Sequence, residues 1–224
     1  MQIDQIIRSK RKTIAIEVLP GGKVIVRAPL HASNVRIFSA LQSRAAWLQA
    51  AKKKMAQMDA ARQPRNYVEG ELFWYLGREY PLHLVDGNSP ALRFDGSGAF
   101  LLSRKRTGDG QALFIAWYRE KTRNLVSQLI ARYQSGQAFQ VGSVRITSAK
   151  TRWGSCSGKN NLNFTYRLSM APLSAVEYVV VHELMHTRIK NHSPQFWHAV
   201  EAVLPHWKKE RVWLRKNGLK LTLD

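Results

Sequence analysis

The sequence predicts an α+β fold, and three observations carry that reading. Alternating apolar residues flank a Pro20-Gly21-Gly22 turn near the start, short β-type runs cluster in the middle, and the last third passes from two strands into a succession of helices. Residues 1–66 read as a basic N-terminal hairpin and long helix, 67–110 as a short-strand β region, and 111–224 as the main core. With 224 residues and 45% hydrophobic content, the chain can bury one core with an appendage, or two small ones.

Taken in order, residues 13–18 and 23–28 alternate about the turn and make the hairpin. Over 34–60, Phe38, Leu41, Ala45, Leu48, Met55 and Met58 recur at helical spacing, which predicts one long amphipathic helix with those positions inward. Residues 63–66 form a connector around Pro64. Residues 72–76, 80–85, 92–94 and 99–102 read as strands, with turns at Gly77-Arg78 and Asp95-Gly96-Ser97-Gly98. A helix follows over 111–133 with Leu113, Trp117, Leu129 and Tyr133 inward. Strands at 144–148 and 162–165 are joined by the polar segment 151–158. The next helix, 175–190, has Ser174 and Glu177 as a capping box after Pro172. Helices at 194–203, ended by Pro205, and on to about 216, stopped by Asn217-Gly218, complete the chain.

The helix over 175–190 contains His182-Glu183-Leu184-Met185-His186. Residues four apart share a helix face, about 6 Å apart along the axis, so His182 and His186 can aim two imidazoles at one metal ion. Glu183 lies about 100° further round, beside the metal, where it can act on a water as general base. This is the H-E-x-x-H pattern of zinc hydrolases. A catalytic zinc usually takes three protein ligands and keeps one position open. His192 is the expected third ligand: Asn191, in a left-handed conformation, would reverse the chain and bring it under the metal. Ser193 and Pro194 then read as N-cap and first residue of the next helix. Glu201 is the rival third ligand, and the plain alternative for the first two is a core histidine pair satisfied by hydrogen bonds. His198 and His206 read as surface or supporting positions, and His31 and His83 take no role. The spacing from His186 to His192 matches metzincins, but Ile189 stands where those carry Gly.

A site of this kind belongs to a zincin-like arrangement, a small sheet above a metal-binding helix, in which a peptide adds to the sheet edge. Trp153, Gly154, Ser155 and Asn163 are the candidate substrate edge. Zinc, one ion per chain, is the expected cofactor.

Charge is the second strong feature. The chain holds 35 Lys and Arg against 15 Asp and Glu, a formal +20, distributed as +10 over 1–66, +2 over 67–140 and +8 over 141–224. Arg8, Lys10, Arg11, Lys12 and Lys52, Lys53, Lys54 form clusters that attract polyanions, which allows non-specific, salt-sensitive contact with DNA; the plain alternative is a set of solvated faces. One cysteine, Cys156, excludes an internal disulfide framework and suits a reducing compartment. No secretory leader or membrane-length apolar run is visible, so a cytoplasmic location with no membrane partner is expected.

Arg152-Trp153-Gly154-Ser155-Cys156, Leu162-Asn163, Arg167-Leu168, Ala171-Pro172, the run Tyr178 to His186, and Asn191-His192-Ser193-Pro194-Gln195-Phe196-Trp197 closely resemble the YgjP-like, SprT-related zinc metallopeptidases. The resemblance implies zinc on His182, His186 and His192, Glu183 as the catalytic residue, and a protein or peptide substrate. Related SprT and Wss-type proteases act on DNA-attached proteins, which would fit the basic ends. Peptide hydrolysis by zinc-held water with Glu183 as general base is thus the expected activity. Tyr166 and Arg167 are conceivable oxyanion donors, and Cys156 reads as structural rather than as a thiolate on the metal. The alternatives are a nucleic-acid-binding protein with a structural or vestigial zinc site, and a zinc hydrolase of a non-peptide substrate.

Overall fold

The computed structural model describes residues 3–61, 65–87, 90–135 and 139–223; part of the expected 63–66 connector and the side chains of Lys54 and Met58 lie outside them. The chain is mixed α+β, with several small sheets, and divides into two compact units, Met1–Gln63 and Pro64–Asp224. Among the described residues no helix is long and apolar enough to cross a membrane.

The first unit contains β1 (Gln5–Ser9), β2 (Ala15–Val18), β3 (Val24–Pro29), α1 (Asn34–Gln42) and α2 (Ala45–Ala61). The expected hairpin is present, with Ala15 opposite Arg27 and Val18 opposite Val24. Its tip holds Gly21 and Gly22 at φ 74° and 72°, a region that L side chains rarely adopt. β3 is central and alternates, burying Val24, Val26 and Ala28 against Ile37, Leu41 and Leu48. β1 pairs parallel to β3 and was not anticipated, because Gln5-Ile6-Ile7-Arg8-Ser9 has no alternation to read. The expected single helix over 34–60 is broken. Ser43 closes α1 by donating its N–H to Ser39 O and its hydroxyl to Ala40 O, so the ladder restarts at Ala45. Of the expected inward positions, Leu41 and Leu48 are buried, but Phe38 is 49% exposed and Ile37 takes its place in the core.

The second unit begins with β4 (Leu72–Tyr75), β5 (Arg78–Val85), β6 (Leu92–Phe94) and β7 (Phe100–Ser103), ordered β4-β5-β7-β6. The long helix α3 (Gly110–Gln134) follows, then β8 (Val144–Thr147), β9 (Gly154–Cys156) and β10 (Leu162–Thr165). Three helices end the chain: α4 (Leu173–Met185), α5 (Pro194–Val203) and α6 (Trp207–Asn217). The division expected at 110/111 does not separate two cores. Phe73 stacks on Phe114 at 4.0 Å, and Tyr118 Oη donates to Trp74 O at 2.5 Å, so the strands of 67–110 and the helices beyond share one hydrophobic cluster.

In the second sheet β10 is central, parallel to β8 and antiparallel to β9. This leaves β9, on which α4 packs, at an edge. α4 is buried over most of its length, including Val176, Val179, Val180, Val181 and Leu184; full burial of such a side chain contributes roughly 1.5–3 kcal/mol. The expected capping box is absent, because both side chains are drawn into tertiary bonds. Ser174 Oγ donates to Glu210 Oε2 at 2.9 Å, and Glu177 accepts from Tyr133 Oη at 2.6 Å. Pro172 is the N-cap, and α4 ends at Met185 rather than near 190.

Candidate metal and active site

His182 and Glu183 lie in the last turn of α4, and His186 is its C-cap, its N–H donating to His182 O at 3.3 Å. His186 therefore keeps helical geometry one turn beyond His182 even though the helix stops. His186 Nδ1 lies 2.9 Å from Ile189 O. A carbonyl oxygen can only accept, so Nδ1 carries the hydrogen and Nε2 keeps its lone pair.

His192 arrives by a different turn from the expected one. Asn191 is not among the residues with positive φ; instead its side-chain oxygen accepts the Ser193 N–H at 3.2 Å. This Asx turn makes the reversal without a left-handed residue. Ser193 is the N-cap and Pro194 the first residue of α5, as the sequence predicts. His192 Nε2 then sits 3.1 Å from both His186 Nε2 and His182 Nε2.

The ligand atoms of His182, His186 and His192 lie within 4.8 Å of one another, the grouping among the described residues that could hold a metal ion. Nitrogen–metal bonds of about 2.0–2.1 Å in tetrahedral geometry place donor atoms about 3.3 Å apart, close to the observed spacing. Burial, reinforced by the neighbouring imidazoles, drives His182 down to about 3, and burial also lowers His186. Neutral imidazoles with converging lone pairs are the form a metal needs. The residues fit such an ion. One support is absent: His182 Nδ1 is buried without a hydrogen-bond partner among the described residues.

Glu201, the rival ligand, is drawn away by Lys208 at 3.1 Å and stands outside the cluster. Glu183 is 5% exposed, and burial pushes its carboxyl up to about 7, with Arg152 opposing. Its Oε2 has no hydrogen-bond partner among the described residues.

The aromatic surroundings of the imidazoles were not foreseen. Phe196 stacks on His186 at 4.4 Å and meets His182 and His192 edge-on at 4.9 and 5.0 Å. Trp197 stacks on His192 at 5.5 Å, and Trp207 on Trp197 at 4.3 Å. Phe196 and Trp197 stand in the first turn of α5, four and five residues beyond His192, but nothing in that spacing shows that α5 folds back to bring their rings onto the imidazoles.

A cavity of 660 Å³ opens beside His182 and Glu183, with Trp153, Gly154, Tyr178 and Trp207 among its walls. Burial raises the Tyr178 hydroxyl to about 12, so it stays protonated and able to donate at neutral pH. The candidate edge residues divide. Gly154 lies on β9 against Glu183, and Ser155 pairs with Asn163 across the ladder. Trp153 lines the cavity and lies under the Arg167 guanidinium at 5.2 Å.

Arg167 is buried and donates to Leu221 O at 2.5 Å, Gly218 O at 2.6 Å and Lys150 O at 2.8 Å, so it ties backbone rather than an oxyanion. Tyr166 is buried against Tyr118. Cys156 is half-buried with Lys190 Nζ 3.8 Å from its sulfur; burial pushes the thiol up, with Lys190 opposing, and it stands apart from the histidines.

Of the basic candidates, Arg8 is engaged in its own unit, donating to Ala32 O at 2.5 Å and Asn34 Oδ1 at 3.0 Å. Lys10, Lys12 and Lys53 are exposed, while Arg11 and Lys52 are half-buried.

A buried carboxyl thus lies near the converging histidines, next to a cavity and a sheet edge. The profile described as "YgjP-like, metallopeptidase domain" matches residues 12–217, nearly the whole chain. The chain belongs to the YgjP-like metallopeptidase family. Comparison with curated proteins and with solved structures gives no match.

Proposed function

We propose that the chain is a zinc-dependent metallopeptidase whose metal is held by His182, His186 and His192 and whose general base is Glu183. The convergence of three Nε2 atoms near a buried Glu183 carboxyl, whose Oε2 has no hydrogen-bond partner among the described residues, carries this reading. An imidazole-only donor set suits zinc among the common divalent ions. Zinc so held supplies Lewis acidity that polarises the scissile carbonyl and acidifies water.

The chain's own residues do the rest. Glu183 takes the proton of the attacking water and hands it to the departing amine, a role that its burial supports by favouring the protonated form. His186, fixed through Nδ1 by Ile189 O, presents Nε2 without tautomeric ambiguity. β9, paired on one side only among the described residues, offers backbone donors and acceptors to an extended peptide.

A purely structural zinc site would be closed by a fourth protein ligand. The grouping of three donors with a cavity at its side speaks for an open site.

The test is digestion of casein and of a DNA-binding protein by zinc-loaded wild type and Glu183→Gln, with and without single-stranded DNA. Cleavage by wild type alone supports the peptidase, and stimulation by DNA would bring the +20 charge into its action. A zinc-bound wild type that cleaves nothing would turn the reading toward a nucleic-acid-binding module.

A further inference from the structure

Beside Glu183, the cavity is walled on one side by α6, which contributes Lys208, Arg211 and Arg215. Positions separated by three and four residues share a helix face, so the three cations line up along it. Lys208 is paired with Glu201. Among the described residues no carboxylate pairs with Arg211 or Arg215; Arg211 instead lies over the rings of Trp197 at 5.0 Å and Trp207 at 5.9 Å. Glu183 is the sole acidic residue of the lining, and it is buried, whereas Arg211 and Arg215 are exposed.

Like charges four apart on a helix repel, and no carboxylate among the described residues offsets that here. A guanidinium held against aromatic faces keeps its N–H fork free, and that fork matches a carboxylate bidentately. The low-dielectric ring walls strengthen the attraction.

We propose that Arg211 and Arg215 form a subsite for a carboxylate of the peptide substrate, so that the enzyme selects acidic chain segments. The subsite rests on the peptidase reading of the adjoining centre. The carboxylate has two sources, an Asp or Glu side chain near the scissile bond or the substrate's own C-terminus.

Binding to the zinc-loaded Glu183→Gln protein separates recognition from turnover. Four fluorescein-labelled peptides of one sequence carry either Glu or Gln at the acidic positions and end in a free acid or an amide, and their affinities are read by fluorescence anisotropy. Tenfold or tighter binding of the Glu peptides assigns the side chain, and the same gain on the free acids assigns the terminus. Added singly to this background, Arg211→Gln and Arg215→Gln each reduce the preference severalfold. Among the described residues the exposed Arg215 has no side-chain hydrogen bond, ion pair or ring contact, so it keeps the test open should Arg211→Gln unfold. Lys23→Gln with Lys105→Gln, exposed positions removing the same formal charge as the two arginine changes together, leaves the preference in place. Equal affinity for all four peptides, or a preference that survives loss of both arginines, overturns the proposal. Selective binding with no wild-type cleavage of any of the peptides supports the subsite and overturns the peptidase reading.

Discussion

Gly154 and Glu183 are in van der Waals register across the β9–α4 interface: a Cβ at position 154 would lie 2.6 Å from both Cγ and Oε1 of Glu183. That is closer than any real Cβ contact. Because the glutamate is 5% exposed, it has little room to retreat. The glycine is required here for its missing side chain, since its φ is not positive. Gly154→Ala should therefore displace the carboxylate and lower kcat by about 10²-fold or more, as expected for loss of a positioned general base. Metal content, measured on the same preparation by atomic emission, should be unchanged; a fully active Gly154→Ala protein would contradict the placement of Glu183.

His192 reaches the other two histidines from outside α4, through the Asn191 turn. His192→Ala should bind zinc at well under one ion per chain after dialysis. Chelation should lower the thermal midpoint of wild type, since a ligand at a hundred times its Kd stabilises by about 2.7 kcal/mol. The same chelator should leave the midpoint of His192→Ala in place.

Arg167 joins three backbone carbonyls, of Lys150, Gly218 and Leu221, that are remote in sequence. Replacing it with Leu removes the donors and leaves buried acceptors behind. The expected loss is about 3 kcal/mol or more, read as a lower urea midpoint with zinc present. An unaltered midpoint would show that water replaces the guanidinium freely.

Asp95 is held at about 2, below its ordinary 3.8, chiefly by the Ser97 hydroxyl and then by backbone N–H groups of the turn, including those of Ala99 and Gly98. The folded carboxyl is the stronger acid, so its contribution to stability is present above the unfolded value and is lost as pH falls through the folded one. The difference in urea midpoint between wild type and Asp95→Ala should be constant above about pH 5 and shrink steadily between about 4 and 2. A difference that grows on acidification would refute the assignment.

The histidine grouping is legible in the sequence because its determinants are local: two residues one helical turn apart, and a third brought in by a short reversal. What is long-range is not legible. The Phe196, Trp197 and Trp207 rings around the imidazoles depend on how α5 and α6 fold back on α4. Arg167 could be suspected of site chemistry from its motif, but only its three carbonyl partners show where its donors go. β1 escaped notice because its pairing with β3 supplies an order that its own side chains do not encode. The capping box failed for a similar reason, as Glu210 and Tyr133 compete for the same groups.

β9 is only three residues long and lies at the edge of its sheet. A row of backbone groups that short can be matched only by a stretch of chain whose own N–H and C=O groups are not already spoken for. Helices and interior strands have none to lend. If the proposed docking along β9 holds, the first filter on what reaches Glu183 is the conformational state of the target: slack, unravelled or unfinished polypeptide could lie down along the strand, and a well-folded neighbour would pass by untouched.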